Sequence, residues 1–240
     1  MKLVIKITLF TSLFALLNSC ESTFIEPIDL NGLVPYMSLN IGDIRQYYDE
    51  AEGAYIQYEV VDTTRRVDGQ KVFKMKNTLF MPDGFNFRAI LYYFIKDNFF
   101  IATRLDTVTD YPQDQITNTN RNKFNEQKLA KIFPRNGDYF LRNETYADSQ
   151  KFFFKISIID SLITNCGKFK NVAQYEVIDS EPDWNLLIYY APYYGNIGSV
   201  LENKYGKSKI FAAYIKANNK EICSYTKLHF GEWINIRSKK

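Results

Sequence analysis

The chain has 240 residues, 46% apolar and 16% aromatic, with 19 Phe and 18 Tyr. That content can bury a full core without disulfide staples, and the length fits one all-β domain or two small ones. The formal charge of +3 falls to about +1 once Lys2 and Lys6 are removed with the first nineteen residues, which excludes nucleic-acid or membrane-surface binding driven by charge. Residues 1–19 read as an export signal, with a basic start at Lys2 and Lys6, an apolar run from Leu3 to Leu17, and the small Ser19 just ahead of Cys20. Residues 20–33, holding Pro27 and Gly32, read as an extended tether, and 34–240 as a single β-rich domain. No apolar run after Cys20 approaches the roughly 20 residues needed to span a bilayer.

From there the chain is dominated by short runs of period two, rich in β-branched and aromatic residues, which predict strands. In order these are Tyr55 to Asp62, Val72 to Lys76, Arg88 to Ile95 and Asn98 to Leu105, with Lys96-Asp97-Asn98 as a tight hairpin. Then come Lys151 to Asp160, Lys170 to Ile178, Trp184 to Tyr190, Val200 to Lys204, Lys209 to Ala217 and Glu221 to Trp233. Gln127 to Phe133 is the best short-helix candidate, and the polar stretch Asp110 to Asn125 the longest predicted loop. With Cys20 set aside, Cys166 and Cys223 remain; two buried free thiols are favoured over a disulfide, since sequence alone cannot place their Cα atoms within bridging range.

A repeat runs through this pattern. Asn40-Ile41-Gly42-Asp43 precedes strand sequence ending at Val61-Asp62 and a turn at Asp68-Gly69-Gln70. Arg135-Asn136-Gly137-Asp138 precedes strand sequence ending at Ile159-Asp160 and a turn at Cys166-Gly167. Gly42 to Gly69 is 27 positions and Gly137 to Gly167 is 30. Duplicated supersecondary units whose apolar faces need each other give this signature, and the halves fall at about 34–110 and 130–233. Gly69 and Gly167 sit where hairpins need positive φ, and Pro192 should end the strand before it.

Reactive chemistry is sparse. His229 is the single histidine, with no nucleophile-elbow serine to serve and no second histidine for zinc, so it reads as an ordinary strand residue. Gly195-x-x-Gly198 would cradle phosphate only ahead of a helix, and strand sequence follows it. Asp179, Glu181 and Asp183, and likewise Asp106, Asp110 and Asp114, could serve a carboxylate hydrolase only at a defined separation in a cleft; solvated loop acids are the plainer reading. Tyr189, Tyr190, Tyr193 and Tyr194 crowd one strand end and Tyr92-Tyr93-Phe94 another; core packing and barrel-mouth lining are favoured over a sugar platform.

Leu17-Asn18-Ser19-Cys20 resembles the lipobox of bacterial lipoproteins, with Asn18 departing from the preferred small residue. The resemblance implies that Cys20 becomes the mature N-terminus and carries a diacylglyceryl thioether and an N-acyl chain, enough to anchor a protein stably. Pro35 to Asp43, closing on Tyr47 and Tyr48, resembles the opening of a broad group of Bacteroidetes-type envelope lipoproteins, although Ile44 and Arg45 stand where that group usually has Trp. Asp62-Thr63-Thr64 with Asp68 to Phe73 is similar to the group's second feature, and Thr164 with Gly167-Lys168-Phe169 to its third. Tyr190-Ala191-Pro192 through Gly195, Ile197, Gly198 and Val200 is similar to its fourth. The group implies a fold type and an address rather than a reaction.

The expectation is therefore an all-β protein of about ten strands, a curved antiparallel sheet forming an open or partial barrel with short helices at one side. Such curvature resembles the lipoprotein-carrier folds of the envelope, which wrap a sheet around an apolar cavity. The expected function is that of a non-enzymatic lipoprotein held at the membrane through Cys20, the outer membrane favoured over the inner, binding an apolar ligand or an envelope protein, with no cofactor, metal or nucleic acid. A purely structural or assembly role is the alternative, and a carboxylate hydrolase a remoter one.

Overall fold

The computed structural model describes residues 24–25, 35–37, 39–49, 53–103, 105–112, 126–144, 151–164, 166–178, 184–204, 206–218 and 220–222. Residues 1–19, read above as an export signal, and Cys20, Asp114, Asp179, Glu181, Asp183, Cys223 and His229 lie outside the described residues.

Among the described residues fourteen strands form one sheet: β1 (Phe24–Ile25), β2 (Ile44–Asp49), β3 (Ala54–Arg65), β4 (Lys71–Phe80), β5 (Asn86–Lys96), β6 (Phe99–Ala102) and β7 (Gln127–Lys131). The others are β8 (Tyr139–Glu144), β9 (Lys151–Thr164), β10 (Gly167–Ile178), β11 (Trp184–Ala191), β12 (Gly195–Asn203), β13 (Gly206–Ala217) and β14 (Lys220–Glu221). β2 to β7 run as one antiparallel meander and β8 to β13 as a second, and β13 pairs with β2 to join them. β1 pairs parallel with the start of β10, so two residues of the predicted tether add to the sheet. The twelve strands β2 to β13 make an antiparallel, nearly closed barrel, and the all-β expectation holds.

Alternation explains which face each strand buries. Phe152, Phe154, Ile156 and Ile158 of β9 recur with period two, and Ala173, Tyr175 and Val177 of β10 stand opposite Ile158, Ile156 and Phe154. Leu186, Ile188 and Tyr190 of β11 continue the same face from Val177, Tyr175 and Ala173. Register shifts at Val60/Asp62, Leu141/Asn143, Tyr189/Tyr190 and Ala212/Tyr214 mark bulges, which bend strands and let a wide sheet curl on itself. The predicted hairpin at Lys96-Asp97-Asn98 is a two-residue turn, with φ of 50° at Asp97 and 68° at Asn98, values that suit the twist of the flanking strands.

The end strands β7 and β8 meet without a ladder and are held by side chains. Lys131 Nζ lies 2.9 Å from Asp138 Oδ2, Arg142 Nη2 donates to Gln127 Oε1 at 3.3 Å, and the Phe99 and Phe140 rings meet edge to face at 5.0 Å. Tyr175 reaches the same seam from β10, its hydroxyl accepting from Lys131 N at 3.1 Å and donating to Lys131 O at 3.3 Å.

The two predicted repeat turns carry the same four hydrogen bonds. In the first, Asn40 N donates to Asp43 Oδ2 and Asp43 N to Asn40 O, both at 2.9 Å, while Gly42 N donates to Val60 O at 2.8 Å and Val60 N to Asp43 O at 2.9 Å. In the second, Arg135 N donates to Asp138 Oδ2 at 2.8 Å and Asp138 N to Arg135 O at 3.1 Å. Gly137 N then donates to Ile156 O at 2.9 Å and Ile156 N to Asp138 O at 2.8 Å. A carboxylate that satisfies its own turn's amide lets the chain drop into the sheet at a fixed register.

Three expectations need correction. Among the described residues the only helical element is the 3₁₀ turn Leu105–Thr107, so the short helices are absent. The helix candidate Gln127 to Phe133 instead supplies β7: seven residues cannot repay helix nucleation in isolation, and pairing with β6 buries Ala130 completely. Cys166 is disulfide-bonded rather than a free thiol, its partner cysteine lying outside the described residues, and its sulfur sits 3.0 Å from the Ala212 carbonyl oxygen. Its pairing is not readable from sequence because it depends on which distant segments the fold brings within bridging range.

Candidate ligand cavity

Strand direction gives the barrel two ends. One carries the turns Arg66–Gln70, Asp97–Asn98, Ile132–Asp138 and Pro192–Tyr194, and the segment Pro35 to Asp43 crosses it as a plug. Tyr193 N donates to Pro35 O and Tyr36 N to Ile132 O, both at 2.7 Å, and the Tyr36 hydroxyl donates to Asn171 O at 2.5 Å. Those three bonds tie the plug to β12's turn, β7 and β10, with Tyr36, Met37 and Leu39 buried in the barrel core.

The lumen is filled on one side only. Phe140, Phe154, Tyr175 and Tyr190 pack there at centroid separations of 4.8 to 6.3 Å, each pair tilted or edge to face. On the other side a cavity of about 360 Å³ remains. Met37, Ile56, Met75, Phe100, Leu129 and Ile210 give it apolar walls; Arg45, Tyr47, Tyr58, Tyr93, Tyr190 and Asn196 give it polar points. A mainly apolar chamber with a few fixed polar groups, at the small end of the usual 300–1,000 Å³ range, has the anatomy of a small-molecule site.

Arg45 is placed by β2 and held at the plugged end. It is only 3% exposed, its Nε donates to Tyr194 O at 2.7 Å, and a Cβ on Gly195 would stand 3.0 Å from both Nε and Nη2. Gly195, at φ 79°, is therefore glycine for two reasons: its turn conformation and the room the guanidinium needs. The Tyr47 hydroxyl donates to Asn196 O at 2.8 Å. Tyr190 lies within electrostatic reach of both Arg142 and Arg45 and bonds the Asn196 side chain. Burial lowers the Arg142 pKa, since a guanidinium loses hydration there; its Cζ stands 5.9 Å from the Phe154 ring centre.

Burial raises the pKa of Tyr36, Tyr47, Tyr58, Tyr93, Tyr175 and Tyr190 above the ordinary value near 10. At neutral pH these phenols are protonated donors. Because the unfolded chain gives up these protons first, the contribution to stability is whole below about pH 10 and is lost as pH rises beyond it. The melting temperature should hold level to about pH 9.5 and then fall steeply; a curve flat through pH 11 with tyrosinate absorbance already developed would contradict this burial.

The carboxylate candidates do not converge here. Asp110 pairs with Lys74 on the outer surface, and Lys74 also lies 3.5 Å from Asp62. Burial pushes the Asp110 carboxyl up, but bonds from Lys74 and Thr64 outweigh it and leave the pKa below the ordinary value, opposite to what a general acid requires. Neither Asp106 nor any other Asp or Glu lines the cavity among the described residues, and no group of three His, Cys, Asp or Glu that could hold a metal occurs among them. Of the crowded tyrosines, Tyr93 and Tyr190 line the cavity, while Tyr92 packs on Tyr111, Tyr189 on Phe211 and Tyr194 on Phe169. Gly195 and Gly198 open strand β12 rather than a helix, so no phosphate cradle forms. Sequence reasoning missed Arg45 and Tyr58 as lining residues. The one signal was Arg45 standing where the resembling group carries an aromatic.

No protein-family model and no curated protein matches the sequence. Two solved structures resemble it. One, a chain named as a lipoprotein from Parabacteroides distasonis ATCC 8503, is 14% identical with a TM-score of 0.46, covering 78% of this chain and 100% of its own. The other, an exported protein with YmcC-like fold from Bacteroides fragilis NCTC 9343, is 14% identical with a TM-score of 0.47, covering 76% and 99%.

Proposed function

We propose that this protein is a non-catalytic cell-envelope lipoprotein, anchored through acylated Cys20 at the outer membrane, whose barrel holds an apolar small molecule. The observation that carries the binding role is the cavity of about 360 Å³ left beside a fully packed aromatic half. A core selected only to be filled would close such a space, because protein interiors pack to crystal density and voids cost stability. The space is lined from the concave face of the sheet and by Met37 of the plug, and its size suits a small ligand rather than a partner protein. The lipobox at Leu17 to Cys20 supports the address, and the disulfide at Cys166 suits an oxidising compartment. The halves 34–110 and 130–233 are, in this reading, copies of one supersecondary unit, supported by the matched hydrogen bonds of their opening turns.

The anchor and the cavity are tested separately. Cys20→Ala should move the protein out of the detergent phase on fractionation; retention there would refute lipidation. An environment-sensitive apolar dye should brighten on binding the protein, and Ser199→Trp, which fills the cavity, should abolish the signal with the fold intact. Equal binding by both would place the dye elsewhere and refute the cavity.

A further inference from the structure

We infer that the ligand is an uncharged, flat, conjugated compound of fused rings, held between the aromatic walls of the chamber. This rests on the cavity-binding reading above and adds the ligand's chemistry.

Five rings line the chamber from five strands: Tyr47 of β2, Tyr58 of β3, Tyr93 of β5, Phe100 of β6 and Tyr190 of β11. Aromatic surface therefore reaches a guest from both meanders. Met37 and Met75 add thioether sulfurs, which meet ring edges favourably and adapt to a guest's outline. Aliphatic hydrocarbon side chains in the lining are limited to Ile56, Leu129 and Ile210. A saturated guest gains only burial from such walls, whereas a π system also gains offset-stacked or edge-to-face contact with each ring it meets.

The rings are also fixed in advance. Tyr93 and Phe100 stack at 4.8 Å, Tyr47 meets Tyr58 edge to face at 5.8 Å, and Tyr190 tilts against Tyr175 at 4.8 Å. Rigid walls suit a rigid guest, because a flexible chain gives up rotamer freedom on entry and a fused ring has none to lose. Charge is disfavoured in either sign. No Asp or Glu lines the chamber among the described residues, so a cation would face Arg45 with nothing to offset it. Arg45 in turn has partners within the protein, the Tyr194 carbonyl among them, and needs no anion from a ligand. Roughly 150 Å³ of dry apolar cavity accepts one benzene, so a chamber of about 360 Å³ accommodates two or three fused rings.

The test uses the full, lipidated chain in a non-ionic detergent, with three alcohols of equal carbon count: 2-naphthol, its saturated analogue decahydro-2-naphthol, and 1-decanol. Each affinity is divided by the probe's partition into empty micelles, which cancels simple transfer from water. On that scale 2-naphthol should bind about tenfold more tightly than decahydro-2-naphthol, the factor that two ring contacts supply, and 1-decanol should bind most weakly. Phe100→Leu combined with Tyr93→Leu should bring the ratio of the two ring alcohols close to unity. If those two bind wild type alike, if 1-decanol matches 2-naphthol, or if a folded double variant keeps the ratio, the ring assignment fails while the cavity reading stands. Where the double variant does not fold, the order of the probes on wild type decides. If no probe binds above the micelle background, or Ser199→Trp binds all of them as wild type does, both readings fall.

Discussion

Gly198→Ala is expected to destabilise the barrel by about 4 kcal/mol, a large share of a domain's usual stability. Gly198 has φ 150°, and a Cβ there would lie 2.3 Å from Phe211 Cδ1 and 2.6 Å from the Ile210 carbonyl oxygen. Backbone strain and overpacking each cost roughly 1–3 kcal/mol, and the Ile210 carbonyl belongs to the paired strand β13 and cannot step aside as a side-chain tip would. Gly137→Ala is the control. Its φ is 84° but a Cβ would meet nothing within 4 Å, so only the conformational cost of about 1 kcal/mol remains. Urea midpoints of the two variants separate the effects, and equal shifts would mean that the close approach of β12 and β13 is mistaken.

Tyr175→Ala should cost about 4 kcal/mol and act beyond its own strand. The side chain is fully buried, contacts the rings of Phe140, Phe154 and Tyr190, and bonds both backbone atoms of Lys131 across the lumen. Large-to-small changes at such sites cost 3–5 kcal/mol through lost transfer energy and the cavity left behind. Tyr175→Phe isolates the hydroxyl and should cost about 1–2 kcal/mol, since it strips the Lys131 amide of its partner. Because β7 and β8 share no ladder, hydrogen exchange in β7 should quicken more than in β3 or β10 in both variants. Uniform quickening would show that Tyr175 supports the core generally and does not hold the seam.

Much of this fold was legible because the lumen-facing residues keep strict alternation. Phe152, Phe154, Ile156 and Ile158 announce β9, and Asp97-Asn98 announces its hairpin. The strands passed over are those whose burial breaks the pattern. β2 buries Arg45, Gln46, Tyr47 and Asp49 on both of its faces, so no period of two can be seen in it. β7 is short and carries the Gln, Lys, Leu and Ala of a helix, and only its place beside β6 makes it a strand. The cavity was less legible still. Its walls come from strands far apart in sequence, and whether tyrosines such as Tyr58 and Tyr93 fill a core or line a chamber depends on barrel width, which no local pattern encodes. Its one trace in the sequence was Ile44-Arg45 standing where the resembling group carries Trp.

The central claim, that the chamber is a ligand site rather than a packing defect, is tested most directly by native mass spectrometry of the protein extracted from its own cells. The account predicts a wild-type mass carrying a discrete adduct of small-molecule size beyond the covalent anchor, released on collisional activation and missing from folded Ser199→Trp. A wild-type mass equal to the bare acylated chain in repeated preparations would contradict it, and would leave the barrel a purely structural lipoprotein.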